Sequence, residues 1–204
     1  MLAPILNNKN IDNMKKITTT LLTVLTTLSL SFGQTENSPV PIVDNKVNYT
    51  ETVTVDSSSK KDVLFGKAKL WFANSFKSSN DVIQLDDKDN GIVLGKGIII
   101  KNEMTGLQSV KKTWRFTVKI QVKDGKYKAE IYDIDYTFEM PGNNIGAGPS
   151  NVNLDEYFNN QKIYKKDGTL KSNAEKFANE TNENFKSLLA SIKKTMTEKL
   201  NSDF

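Results

Sequence analysis

The chain has 204 residues, of which 37% are hydrophobic and 25% charged, the balance of an ordinary folded domain. It contains no His and no Cys, which excludes disulfides, imidazole or thiolate metal centres, haem and iron–sulfur ligation, Cys nucleophiles and every triad that needs a His base. Its 28 Lys and Arg against 24 Asp and Glu leave +4, scattered among carboxylates rather than clustered, so no nucleic-acid footprint is expected.

At the amino end, Met14-Lys15-Lys16 is followed by the stretch Ile17 to Leu30, with seven apolar residues among Thr and Ser, and then by Ser31-Phe32-Gly33-Gln34. Two Lys form a charged n-region, the run is shorter than the ~20 residues of a bilayer span, and small Ser31 and Gly33 suit the −3 and −1 positions of a signal peptidase. The expectation is a signal peptide over 14–33, cleaved between Gly33 and Gln34, preceded by an upstream extension over 1–13. The processed protein is then periplasmic or secreted, without stable membrane insertion. Residues 34–45, with Pro39 and Pro41, read as a linker, and residues 46–204 as a single domain.

Val47, Tyr49, Val53 and Val55 alternate with polar residues and predict a half-buried strand, broken only by Glu51. Ser59 followed by Asp62 resembles a helix start, and Leu64, Ala68, Trp71 and Phe72 then recur at helical spacing over 60–76. A short strand, Val82 to Leu85, leads through Asn90-Gly91, read as a type I′ turn, into the apolar run Ile92 to Ile100. The acidic run Asp86 to Asp89 does not make an EF-hand, because Lys88 and Gly97 fall where ligands would be needed. Gly95-Lys96-Gly97 lacks the rest of a phosphate loop and instead marks close backbone approach or a bulge.

The clearest hairpin joins Trp114–Val122 to Tyr127–Tyr136 through Asp124-Gly125. That two-residue loop sets Lys123 opposite Lys126, Val122 opposite Tyr127, Ile120 opposite Ala129, Val118 opposite Ile131 and Lys119 opposite Glu130. Continued without interruption, the alternation leaves Arg115, Thr117, Lys119, Tyr132, Ile134 and Tyr136 on the other face. Residues 139–169 read as an irregular insertion, with Asn153 and Glu156 capping a short turn that holds Leu154, Tyr157 and Phe158. Apolar positions from Leu170 to Leu200 keep the helical period and predict a long amphipathic helix.

The order strand, helix, four strands, long helix resembles one half of the TATA-box-binding protein. Four stretches also resemble a bacterial family of exported proteins known as a domain of unknown function with a TBP-like fold: Lys61-Asp62-Val63-Leu64 through Phe72, Asp81-Val82-Ile83-Gln84, Gly91 through Gly97, and Val122-Lys123-Asp124-Gly125-Lys126-Tyr127. The likeness spans about Val47 to Phe138, and Ala129 departs from it where a polar residue is associated with the family. It implies an α+β, TBP-like fold with a five-stranded antiparallel sheet, two helices on one face, and an exported context. It implies no activity, since fold alone transfers none.

These observations favour a non-catalytic binding domain that uses the uncovered sheet face, with Arg115, Thr117, Lys119, Tyr132, Ile134 and Tyr136 as candidate contacts for a protein, peptide or small ligand. A self-associating structural protein that uses this face or an edge strand is the alternative. A third reading is a carboxylate-dependent hydrolase built on Asp133 and Asp135, two residues apart on one strand. No cofactor and no metal are expected.

Overall fold

The computed structural model describes residues 39–76, 82–106, 108–139 and 150–198. The chain divides into two units, Met1–Gly33 and Gln34–Phe204, and every described residue lies in the second. The predicted extension and signal peptide therefore lie outside the described residues.

In chain order the elements are β1 (Ile42–Val43), β2 (Lys46–Val47), β3 (Tyr49–Thr54), α1 (Lys61–Ser75), β4 (Ile83–Asp87), β5 (Ile92–Thr105), β6 (Gln108–Lys123), β7 (Lys126–Glu139), β8 (Ser150–Asn153), α2 (Leu154–Asn159), a 3-10 turn (Gln161–Ile163) and α3 (Ser172–Thr197). Antiparallel strands run in the order β3-β7-β6-β5-β4, with β8 paired to the far end of β7. The five predicted strands are all present, and both long helices cover one face of the sheet. The fold is α+β.

The core lies between sheet and helices. From the sheet come Val93, Trp114, Phe116, Val118, Ile120, Val122, Tyr127, Ala129 and Ile131, and from the helices Leu64, Ala68, Trp71, Phe72, Phe185 and Ile192. The Trp71 indole donates to Ser191 Oγ at 3.0 Å and the Trp114 indole to Thr181 Oγ1 at 3.3 Å, so each buried ring keeps its polar edge satisfied. Glu51, the break in the first strand pattern, sits on the helix side and is paired there with Lys193 of α3 at 2.7 Å. The β6–β7 register is as the Asp124-Gly125 loop predicts from Lys123↔Lys126 through Val118↔Ile131, including Lys119 opposite Glu130.

Five local expectations are corrected. The stretch read as the end of a linker is folded: β1 and β2 form a hairpin through Asp44 and Asn45, both at positive φ, and Val40 and Ile42 are in the core. Ser59 does not cap α1. Lys60 is the N-cap residue without a side-chain bond, and the Asp124 carboxylate from the β6–β7 turn accepts from Lys61 N–H at 2.7 Å instead. The β4–β5 connection is a four-residue loop, Lys88 to Gly91, rather than a two-residue turn, because Asp87 accepts from the Asn90 amide at 2.9 Å and only Gly91 takes positive φ. The 139–169 insertion is in part regular: it carries β8, α2 and the 3-10 turn, and buries Leu154 and Phe158. Asn153 caps α2 as expected, accepting from Asp155 N–H at 3.0 Å and Glu156 N–H at 3.3 Å.

The fifth correction concerns β7. The β6–β7 register shifts between Arg115 and Thr117, since Thr117 pairs with Tyr132 but Arg115 with Asp135. Two residues, Asp133 and Ile134, therefore oppose Phe116. This is a β-bulge, and Asp133 takes φ 51° to make it. Every β7 side chain beyond it changes face.

Candidate functional site: the open sheet face

Alternation along each strand assigns the uncovered face. Thr50, Thr52 and Thr54 come from β3, and Lys128, Glu130 and Tyr132 from β7 before the bulge. Thr117 and Lys119 follow on β6, and Lys96, Leu94 and Ile92 on β5, as the paired registers require. Past the bulge the β7 contribution is Asp135 and Thr137.

Four of the six residues proposed from sequence lie on this face. Arg115 is exposed, and its guanidinium donates to Thr137 Oγ1 at 3.1 Å. Thr117 is buried within the face, between Lys96 and Tyr132. Lys119 lies 3.6 Å from Glu130, which also takes Lys128 at 2.7 Å. Tyr132 is half-buried, and burial, with Asp133 and Glu130 beside it, pushes its phenol above the ordinary value.

Ile134 and Tyr136 are not on the open face. The bulge turns Ile134 into the core at 0% exposure. It turns Tyr136 against Trp114 and Phe177, with ring centroids 5.0 and 4.6 Å away, where burial pushes its phenol up to about 12. The same bulge separates the carboxylates of the hydrolase reading. Asp133 is exposed at the turn of the bulge, whereas Asp135 accepts from Asn153 Nδ2 at 3.1 Å.

The apolar part of the face lies instead on β5. Of the seven exposed large hydrophobic residues among the described residues, four (Leu85, Ile98, Ile100 and Met104) share the uncovered side of β4 and β5, with half-buried Ile92 and Leu94 completing the stripe. Met104 is 66% exposed and Ile100 51%. The signal was present in the sequence: in Ile92 to Ile100 apolar residues stand at consecutive positions on both sides of Gly95-Lys96-Gly97, which marks a strand apolar on both faces, not a half-buried one. The glycines within it serve the covered face. A Cβ at Gly95 would stand 2.6 Å from the Phe72 ring, and one at Gly97 2.5 Å from the Phe116 ring. Beside the stripe lie charges of both signs, Lys96, Lys111, Arg115, Lys119 and Lys128 set among Glu130, Asp135 and Glu139.

With this geometry established, comparison with known proteins places the chain among similar ones. Residues 49–137 match DUF4468. That family is described as a domain of unknown function with TBP-like fold, and the match runs from the start of β3 to near the end of β7. The solved structure of a DUF4468 family protein from Bacteroides ovatus superposes with a TM-score of 0.63 at 15% identity, covering 81% of this chain and 94% of that one. A TBP-like protein from Parabacteroides distasonis gives 0.59 at 17% identity, covering 78% and 97%. At these identities the likeness shows the fold, and both relatives are bacterial. No curated protein matches the sequence significantly.

Proposed function

We propose that this DUF4468-like protein is an exported, non-catalytic binding domain whose partner docks on the open sheet face. The single observation that carries the reading is the stripe Leu85, Leu94, Ile98, Ile100 and Met104 on that face, with Lys119 opposite Leu94 and Arg115 opposite Ile98. Exposed apolar side chains interleaved with polar ones, here Lys96 and Asn102, are a usual form of an interaction surface. The chemistry that fits it is an extended protein segment offering apolar side chains flanked by carboxylates. The enzyme reading has less support, because the bulge leaves Asp133 solvated and ties Asp135 to Asn153.

The test is comparative capture from the envelope fraction of the native organism. The unaltered protein should retain a partner that Leu94→Ser with Tyr132→Ala loses and that Lys186→Ala, on the solvent side of α3, keeps. Equal capture by all three removes the face from the reading. Export is checked separately by N-terminal mass analysis of the protein recovered outside the cytoplasm. A terminus at Gln34 supports it, and a chain still beginning at Met14 or earlier overturns it.

A further inference from the structure

β4 pairs with β5 only from Ile92 to Gly95, whereas β5 continues to Thr105. Among the described residues no strand pairs with the outer edge of β5 beyond Gly95. This edge is long and free of Pro and bulges, and its side chains from Ile100 to Met104 are exposed on both faces. Such an edge presents a row of backbone donors and acceptors to any extended strand of matching pattern.

The pattern it matches best is its own. Two copies that join edge to edge and antiparallel, about a two-fold axis normal to the sheet, bring residues of the same face opposite one another. With Asn102 on the axis, Lys101 of each copy stands opposite Glu103 of the other, and Ile100 stands opposite Met104. Both charges are available, since Lys101 and Glu103 are 43% and 55% exposed despite their contacts to Glu180 and Lys112. Moving the axis one residue either way sets Lys101 on Lys101 or Glu103 on Glu103, which like-charge repulsion disfavours.

We propose that the protein forms a symmetric dimer by antiparallel pairing of the β5 edge over residues 99–105, with reciprocal Lys101–Glu103 ion pairs and Ile100–Met104 contacts. The two sheets then merge into one, and their apolar stripes lie side by side. A seven-residue strand pair is a small interface, so the dimer is weak and concentration-dependent. The pairing is made by the backbone edge and takes from the open face only Ile100 and Met104, so it does not rest on the docking reading above.

Sedimentation velocity of the purified chain, from low micromolar to near-millimolar concentration, should show a monomer–dimer equilibrium. Lys101→Glu and Glu103→Lys should each weaken the dimer about tenfold, because each places two like-charge pairs across the axis. Mixing the two variants should restore association. In that heterodimer the introduced carboxylate meets the introduced amine, and the native Glu103 of one chain meets the native Lys101 of the other. A monomer at every concentration overturns the proposal, as does a dimer indifferent to both reversals or not restored by mixing. Any of those results leaves the capture experiment on Leu94 and Tyr132 to be judged by itself.

Discussion

Gly95 and Gly66 show how one residue type is used in opposite ways. At Gly95 a methyl group would meet the Phe72 ring at 2.6 Å and the Val82 carbonyl oxygen at 2.8 Å, so Gly95→Ala should cost about 1–3 kcal/mol in urea denaturation. Gly66 is exposed in the middle of α1 with nothing within 4 Å of where a methyl group would stand, so Gly66→Ala should gain about 0.5–1 kcal/mol in the same assay. Asp133 holds a left-handed conformation at φ 51°, which short polar residues tolerate and β-branched ones do not. Asp133→Val should therefore lose about 1–2 kcal/mol while Asp133→Gly stays stable, as thermal melts would show. None of these three effects depends on side-chain chemistry at the site. Each follows from the backbone and what stands beside it.

Each of the two long helices has one end closed by a residue distant in sequence. Asp124 belongs to the β6–β7 turn but accepts from the Lys61 amide of α1 at 2.7 Å, so that one carboxylate serves a strand turn and a helix start, where the dipole also favours it. Asp124→Ala should cost about 1 kcal/mol and Asp124→Asn less, read from the denaturation midpoint. At the other end of the helical layer, buried Lys67 on α1 donates to the Met196 carbonyl at 3.2 Å and the Glu198 carbonyl at 2.5 Å, holding the last turn of α3. Lys67→Met should cost about 1–3 kcal/mol and speed amide exchange selectively in that turn. If exchange accelerates evenly along α3, the contact is not a cap.

For the molecule as a whole, the absence of His leaves no side chain with an ordinary value between the carboxylates and the most acidic amines, so stability should be flat from about pH 6 to about pH 9. Above that range the buried phenols matter. Burial pushes Tyr136 up to about 12 and raises Tyr49 and Tyr127 further, so the folded state holds these protons more tightly than the unfolded chain, whose Tyr value is 10.0. Their contribution is complete below pH 10.0 and is lost as pH rises toward the folded values, so that unfolding should set in between about pH 10 and 12. The Tyr49 hydroxyl is buried with no hydrogen-bond partner among the described residues. Tyr49→Phe should therefore leave stability at pH 7 unchanged or higher while blunting the alkaline loss, a combination that circular dichroism against pH would reveal.

Strand and helix positions, the β6–β7 register, the Asn153 cap and the one-sided helical cover were legible from the sequence, because each is set by spacing and turn chemistry within a few residues. Arg115, Thr117, Lys119 and Tyr132 were placed correctly for the same reason: the first three lie on β6, whose alternation is unbroken, and Tyr132 precedes the bulge in β7. Ile134 and Tyr136 were not, since one extra residue in β7 inverts everything after it, and nothing local to Asp133 distinguishes a bulge from a continuing strand. The helix cap at Asp124, the space at Gly95 for Phe72, and the outer edge of β5 left unpaired among the described residues were likewise decided only in three dimensions. Each is a relation between segments far apart in the chain, and a period read along one segment carries no information about which neighbour will meet it.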